Sequence, residues 1–193
     1  MRILIALMLL FAAIPLDTSA QCEPRDVVMA YCSLDSAGAK CHGGQIDTLS
    51  TLYILSGEPG WDQSMVIDGY ELVQSHQSED TAVVTIRYHI VGWLDGGSLH
   101  VPGEKPYDHL PAVAKEEIVN FKLTQQGDCW RIMGPLMMPH TSVANTISRI
   151  NSSLSGLGNN INYDSLHPSV AGYVRELEKT RIYLVDYMHS TVD

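Results

Sequence analysis

The feature that most restricts this chain is the run TAVVTIRYHIVGWL, from Thr81 to Leu94. β-branched and aromatic residues dominate it, and such side chains favour a pleated, half-buried surface. Alternation predicts two faces, Ala82, Val84, Ile86, Tyr88 and Ile90 on one and Val83, Thr85, Arg87, His89, Val91 and Trp93 on the other. GYELVQSHQ precedes it as a second strand (69–77) across a Ser78-Glu79-Asp80 turn. Further on, EEIVNFKLTQQ (116–126) sets Val119, Phe121 and Leu123 against Asn120, Lys122 and Thr124. Gly127-Asp128 turns that strand into CWRIMGPL, where Trp130 and Ile132 share one face and Cys129, Arg131 and Met133 the other.

Helical spacing brackets this strand block. In PRDVVMAYCSLDSAG, Val27, Val28, Tyr31 and Leu34 fall on one helical face, with Pro24 as a start signal and Gly38 as a stop. GQIDTLSTLYILSG predicts a second helix with Ile46, Leu49, Leu52 and Tyr53 on one side. After a Thr141 or Ser142 cap, Val143, Ile147, Ile150, Leu154 and Leu157 form a continuous apolar stripe. A last helix runs from about Pro168 to His189, its stripe of Val170, Val174, Leu177, Leu184 and Met188 interrupted by Arg181. Between strands, residues 95–115 are punctuated by Gly and Pro and read as a long loop, a candidate lid.

The first twenty residues predict a secretory signal peptide. Arg2 supplies a positive start, Ile3 to Ile14 is an apolar run too short for a membrane span, and Thr18-Ser19-Ala20 offers small residues for cleavage. A retained membrane anchor is the alternative, and lipidation is disfavoured because Gln21 precedes Cys22. The expected organisation is therefore 1–20 as signal peptide, 21–140 as one α+β domain and 141–193 as a helical C-terminal extension. The location follows as periplasmic or secreted, with no stable membrane insertion after cleavage.

With 22 acidic and 12 basic residues the net charge is −10, which argues against nucleic acid or an anionic membrane surface as partner. Cys22, Cys32, Cys41 and Cys129 all lie in the exported part. An even count in an oxidising compartment predicts two disulfides, with three ways to pair them. A bridge from the 22–41 region to Cys129 would close a long loop and contribute about 4 kcal/mol.

Helices followed by a twisted meander whose last strand reads GDCWRIMGP resemble the NTF2-like (SnoaL-like) cone-fold superfamily. In that family a Gly-Asp or Gly-Gly turn leads into a closing strand with Trp, then Lys or Arg, then Ile. Those positions here are Gly127, Asp128, Trp130, Arg131 and Ile132, and Glu79 to Tyr88 resembles the family's long central strand. The likeness covers about residues 26–139 and leaves out the tail helices and the 95–115 loop. It implies a curved antiparallel sheet packed on N-terminal helices around a conical pocket. Family enzymes set a carboxylate base against a tyrosine or histidine deep in the cone. No strand carboxylate of this sequence aligns to that role, so the expectation is a binding module rather than an enzyme.

Arg87, His89, Trp93 and the neighbouring Tyr88 are the candidate ligand-binding residues, a polar anchor beside an indole. The competing assignment makes the Arg87 face solvated and the Val84–Ile86–Tyr88 face core. If the anchor is right, Arg87→Ala costs little stability and abolishes ligand retention. Met137, Met138 and His140 are soft-metal ligand types, but neighbours on an extended chain diverge, so they read as a strand end stopped by Pro139. His100, Glu104, Asp108 and His109 lie in the loop at irregular spacing and read as solvated. No GxSxG, HExxH, P-loop or GxGxxG motif occurs, and no catalytic residue, metal or cofactor is implied. The sequence thus predicts an exported non-catalytic module for a small apolar ligand or a protein partner, dimerising through sheet or tail. An isomerase or dehydratase, or a metal-handling protein, are the alternatives.

Overall fold

The structure, a computed structural model, describes residues 23–41, 46–54, 60–157, 163 and 166–191. The expected signal peptide and Cys22 lie outside the described residues. The chain folds as α+β, with a strongly curled mixed sheet and helices against both of its faces.

Helix α1 (Pro24–Ser36) opens with proline at its first turn, where a missing N–H costs nothing. It buries Val27, Val28, Tyr31 and Cys32 on the face that the sequence spacing predicts. Helix α2 is a single turn (Ile46–Ser50), shorter than expected. Past Ser50 the helix gives way to a turn, in which Thr51, Leu52 and Tyr53 N–H donate to carbonyls three residues back. Ile132 N–H then donates to Leu52 O (2.8 Å), while Ile54 N–H donates to Ile132 O (3.0 Å). Tyr53 thereby becomes a bridge partner of the closing strand.

The sheet comprises β1 (Gln63–Ser78), β2 (Thr81–Asp95), β3 (Ser98–His100), β4 (Glu116–Gln126), β5 (Cys129–Gly134) and β6 (His140–Ser142). Their order is β5-β4-β2-β1-β6, with β3 also on β2. The sheet is not purely antiparallel as expected: β6 runs parallel to β1, pairing Met65–Ile67 with His140–Ser142. The β4–β5 hairpin turns at Gly127 (φ 62°), and the β1–β2 hairpin turns at Glu79 (φ 44°). Much of the expected 95–115 loop remains irregular, but its first residues double back as β3 through Gly96 and Gly97.

One bulge decides what faces inward. Val66 pairs with Gly92 and Ile67 with Ile90, so Val91 is an extra residue on β2. An extra residue reverses which face the following side chains take. Trp93, expected beside Arg87 and His89, instead joins Ile90 and Met65 on the concave side.

Two apolar clusters result. Inside the curl, α1 packs on the sheet through Val28, Tyr31, Ile86, Tyr88, Phe121 and Ile132, all fully buried. Each contributes on the order of 1.5–3 kcal/mol. On the opposite face, Val66 and Val91 meet Val143 and Ile150 of α3 (Val143–Ser155) and Leu177 and Leu184 of α4 (Pro168–Ser190). Ser142 caps α3 by accepting from Asn145 N–H, and Thr180 Oγ1 of α4 donates to Gly97 O at 2.8 Å. β6 belongs to the sheet and leads straight into α3.

The expected disulfides are not formed among the described cysteines: Cys32, Cys41 and Cys129 are free thiols. Cys32 points into the core, where its Sγ lies 3.1 Å from Tyr88 Oη. Among the described residues, no helix is long and apolar enough to cross a membrane.

Candidate functional site

Loop 101–115 leaves β3 and returns to β4 over Ile90 and Trp93 of β2. It is pinned by Gly103 N–H to Val113 O (2.9 Å), Val113 N–H to Glu104 O (2.8 Å) and Ile90 N–H to Lys115 O (2.8 Å). Tyr107 sets its ring edge-on to Trp93 at 6.0 Å, and its hydroxyl donates to Asp95. Beneath the loop lies a cleft of about 310 Å³. Met65, Ile90 and Trp93 line it from the sheet, Leu110 and Val113 from the loop, and Met138 from the segment before β6. Glu117 is the charged residue that β4 turns to this side, since it is paired with the inward-facing Tyr88. Glu116 also reaches the rim but pairs outward, towards Arg87 and His89.

Glu117 is the outer member of a buried ionic cluster. His140 Nε2 stands 2.9 Å from Glu117 Oε2, and His140 Nδ1 stands 3.1 Å from Met138 O and 3.7 Å from Asp35 Oδ2. Both ring nitrogens therefore face atoms that only accept, which suits the imidazolium form with two N–H donors. Burial pushes the His140 pKa down, but the Asp35 and Glu117 carboxylates outweigh it, and the net shift is upward. Asp35, fully buried on α1, also accepts from His140 N–H (3.1 Å) and from the Tyr31 hydroxyl (3.4 Å). Lys40 Nζ donates to Tyr31 Oη (2.6 Å) and to Met137 O (2.8 Å). The two carboxylates thus flank one imidazole, and Lys40 joins the cluster through the Tyr31 hydroxyl, while Asp35 Oδ1 is buried without a hydrogen-bond partner among the described residues.

Tyr88 stacks on the His140 ring, centroids 4.2 Å apart and planes 26° apart. Its phenol pKa is raised, first by burial and then by the adjoining Cys32. Burial likewise pushes the Cys32 thiol up to about 12. Both shifts keep Cys32 and Tyr88 in their neutral forms at neutral pH.

The four predicted ligand residues do not gather at one place. Trp93 lines the cleft, and Tyr88 supports its floor from the core by stacking on His140. Arg87 and His89 lie on the outer face of the sheet: Arg87 Nη1 is 2.6 Å from Glu71 Oε1, Arg87 Nε is 3.6 Å from Glu116 Oε2, and His89 Nδ1 is 3.9 Å from Glu116 Oε1. They take no part in the cleft, because the bulge at Val91 separates their face from that of Trp93. His100 packs against Trp93 at 6.0 Å, Glu104 accepts from Val101 N–H, and His109 stacks on Tyr107. Among the described residues no three His, Cys, Asp or Glu side chains converge on a metal position.

Sequence reasoning passes over Glu117 and Asp35, and weighs His140 only as a soft-metal ligand type beside Met137 and Met138. Glu117 and Asp35 leave a signal in the alternation. Glu117 shares parity with Val119, Phe121 and Leu123, and Asp35 falls four residues after Tyr31 on the apolar face of α1. A carboxylate on a face otherwise apolar needs a buried partner. His140 carries no such mark, because its burial depends on the path of residues 135–139. Comparisons with protein-family models, with curated proteins and with solved structures find no match to this chain.

Proposed function

We propose that this chain is an exported binding module on an NTF2-like cone fold, and that the cleft beneath loop 101–115 takes up a small, largely apolar ligand. The observation that carries this reading is the cleft itself: apolar side chains from sheet, loop and β6 approach, with one inward carboxylate fixed from behind by a buried histidine. Small-molecule sites are commonly concave and mostly apolar with a few placed polar groups, and about 310 Å³ is at the lower end of their range. Export is carried by the sequence of residues 1–20, and the cone-fold assignment by the curled sheet over α1 together with the GDCWRI strand.

The test is native mass spectrometry of the chain from Gln21 onward, followed by titration with the neutral fluorophore N-phenyl-1-naphthylamine. The expected results are one fluorophore bound per chain and at least tenfold weaker binding by Leu110→Asp, which puts a charge on the apolar wall. Equal binding by the variant sinks the assignment.

A second reading, an isomerase or dehydratase of the same fold, is favoured by the 2.9 Å contact between Glu117 and His140. A carboxylate beside an imidazole at an apolar cleft can move a proton to or from a bound substrate. Here Glu117→Gln abolishes turnover of such a substrate while leaving the fluorophore bound; an active Gln variant removes this reading.

A further inference from the structure

We infer that the cleft selects a cationic amphiphile, an apolar chain or ring system bearing an amine, over a neutral or acidic molecule of the same shape. This rests on the cleft reading above and adds the charge of the ligand's head.

The lining is apolar except at β4, where Glu117 faces inward and Glu116 reaches the rim; among the described residues that line it there is no Lys, Arg or His. A carboxylate head would enter beside Glu117 with no cation in the lining to receive it, because His140 is buried behind Glu117 and already engaged by it, and like charges in a partly desolvated site repel. An ammonium meets the reverse situation, because a charge-assisted hydrogen bond to carboxylate is about twice as strong as a neutral one. Glu117 keeps 37% of its side-chain surface exposed, so its carboxylate is accessible even while Oε2 is engaged by His140. That engagement fixes the carboxylate in place, so little side-chain freedom is lost when a ligand docks. Trp93 adds an aromatic wall of the kind that tolerates a nearby cation. The net charge of −10 favours approach of a cation over an anion.

The experiment is calorimetric titration of the wild-type chain at pH 7 with octylamine, octan-1-ol and octanoate, which share one chain length. The expected order is octylamine at least tenfold tighter than octan-1-ol, with octanoate weakest. In Glu117→Gln, whose fold is checked by circular dichroism, the amine and the alcohol bind within threefold of each other. Octan-1-ol binding as tightly as octylamine to the wild type overturns the charge preference and leaves the cleft assignment standing. Octanoate binding tightest overturns it as well. If none of the three binds, both the cleft assignment and the preference fall. The wild-type comparison needs no variant, so a misfolded Glu117→Gln leaves the result decisive.

Discussion

His140 and Glu117 meet at 2.9 Å although one belongs to the last, three-residue strand and the other to the second residue of β4. The contact joins a fully buried imidazole to a carboxylate on the cleft wall, and Asp35 on α1 closes the arrangement from the other side. The cleft floor is thereby coupled to the protonation of one core residue.

That coupling has a pH signature. The native His140 pKa is raised above its usual 6.5, so its stabilising contribution is complete below 6.5 and is lost as pH climbs through the native value. The groups facing it are Asp35 from α1, Tyr88 from β2 and Glu117 from β4, with Tyr31 and then Lys40 behind Asp35. Urea unfolding of the wild type and of His140→Asn between pH 5.5 and 9 tests the point. The stability gap narrows as pH rises beyond 6.5, by about 1.4 kcal/mol for each unit of upward shift. A gap that stays constant, or widens, contradicts it.

Arg87→Ala is expected to cost under about 1 kcal/mol, because its ion pairs with Glu71 and Glu116 are half exposed and screened by water. Binding of the neutral fluorophore is unchanged, since Arg87 is on the outer face. Loss of binding in this variant would restore the anchor role that the sequence pattern suggests.

Gly92 sits where β3 folds back on β2, and a methyl group there would come within 2.7 Å of Leu99 Cδ1 and 2.9 Å of the His100 carbonyl oxygen. The leucine can turn away, but the backbone oxygen cannot without shifting β3. Gly92→Ala therefore lowers stability by about 1–3 kcal/mol, read as a shift in denaturation midpoint. Gly69, with open space around it, accepts the same change with less than about half that cost.

Cys32 is protected twice, by complete burial and by a thiol pKa pushed up to about 12. Iodoacetamide at pH 8 is expected to leave it unmodified in the native protein and to alkylate it only on unfolding, while the partly exposed Cys41 and Cys129 react first. Peptide mass mapping before and after urea decides this. Native labelling of Cys32 would show that the Tyr88 contact does not hold in solution.

Much of the fold is legible because alternation and helical spacing are local. Val119, Phe121 and Leu123 face inward as a period of two requires, and Trp130 and Ile132 do the same on the neighbouring strand. Val27, Val28 and Tyr31 bury the face that a period near 3.6 assigns them, and Val143 and Ile150 bury theirs. The local pattern cannot count an extra residue in a strand pair, so strict alternation puts Trp93 on the wrong side of β2. Nor can it see the backbone hydrogen bonds that Ile132 makes with Leu52 and Ile54 past the end of α2.

By itself, then, the sequence determined the inward faces of α1, β4 and β5, since such a face is a property of a single strand or helix, whereas Leu157, Val170 and Met188 of the predicted tail stripes are exposed. Only the tertiary structure decided which polar groups go in with those faces. Asp35, Glu117 and His140 come from α1, β4 and β6, separated by as many as 105 residues, and a buried charge is tolerable only where the curl of the sheet brings its counter-charge within a few ångströms.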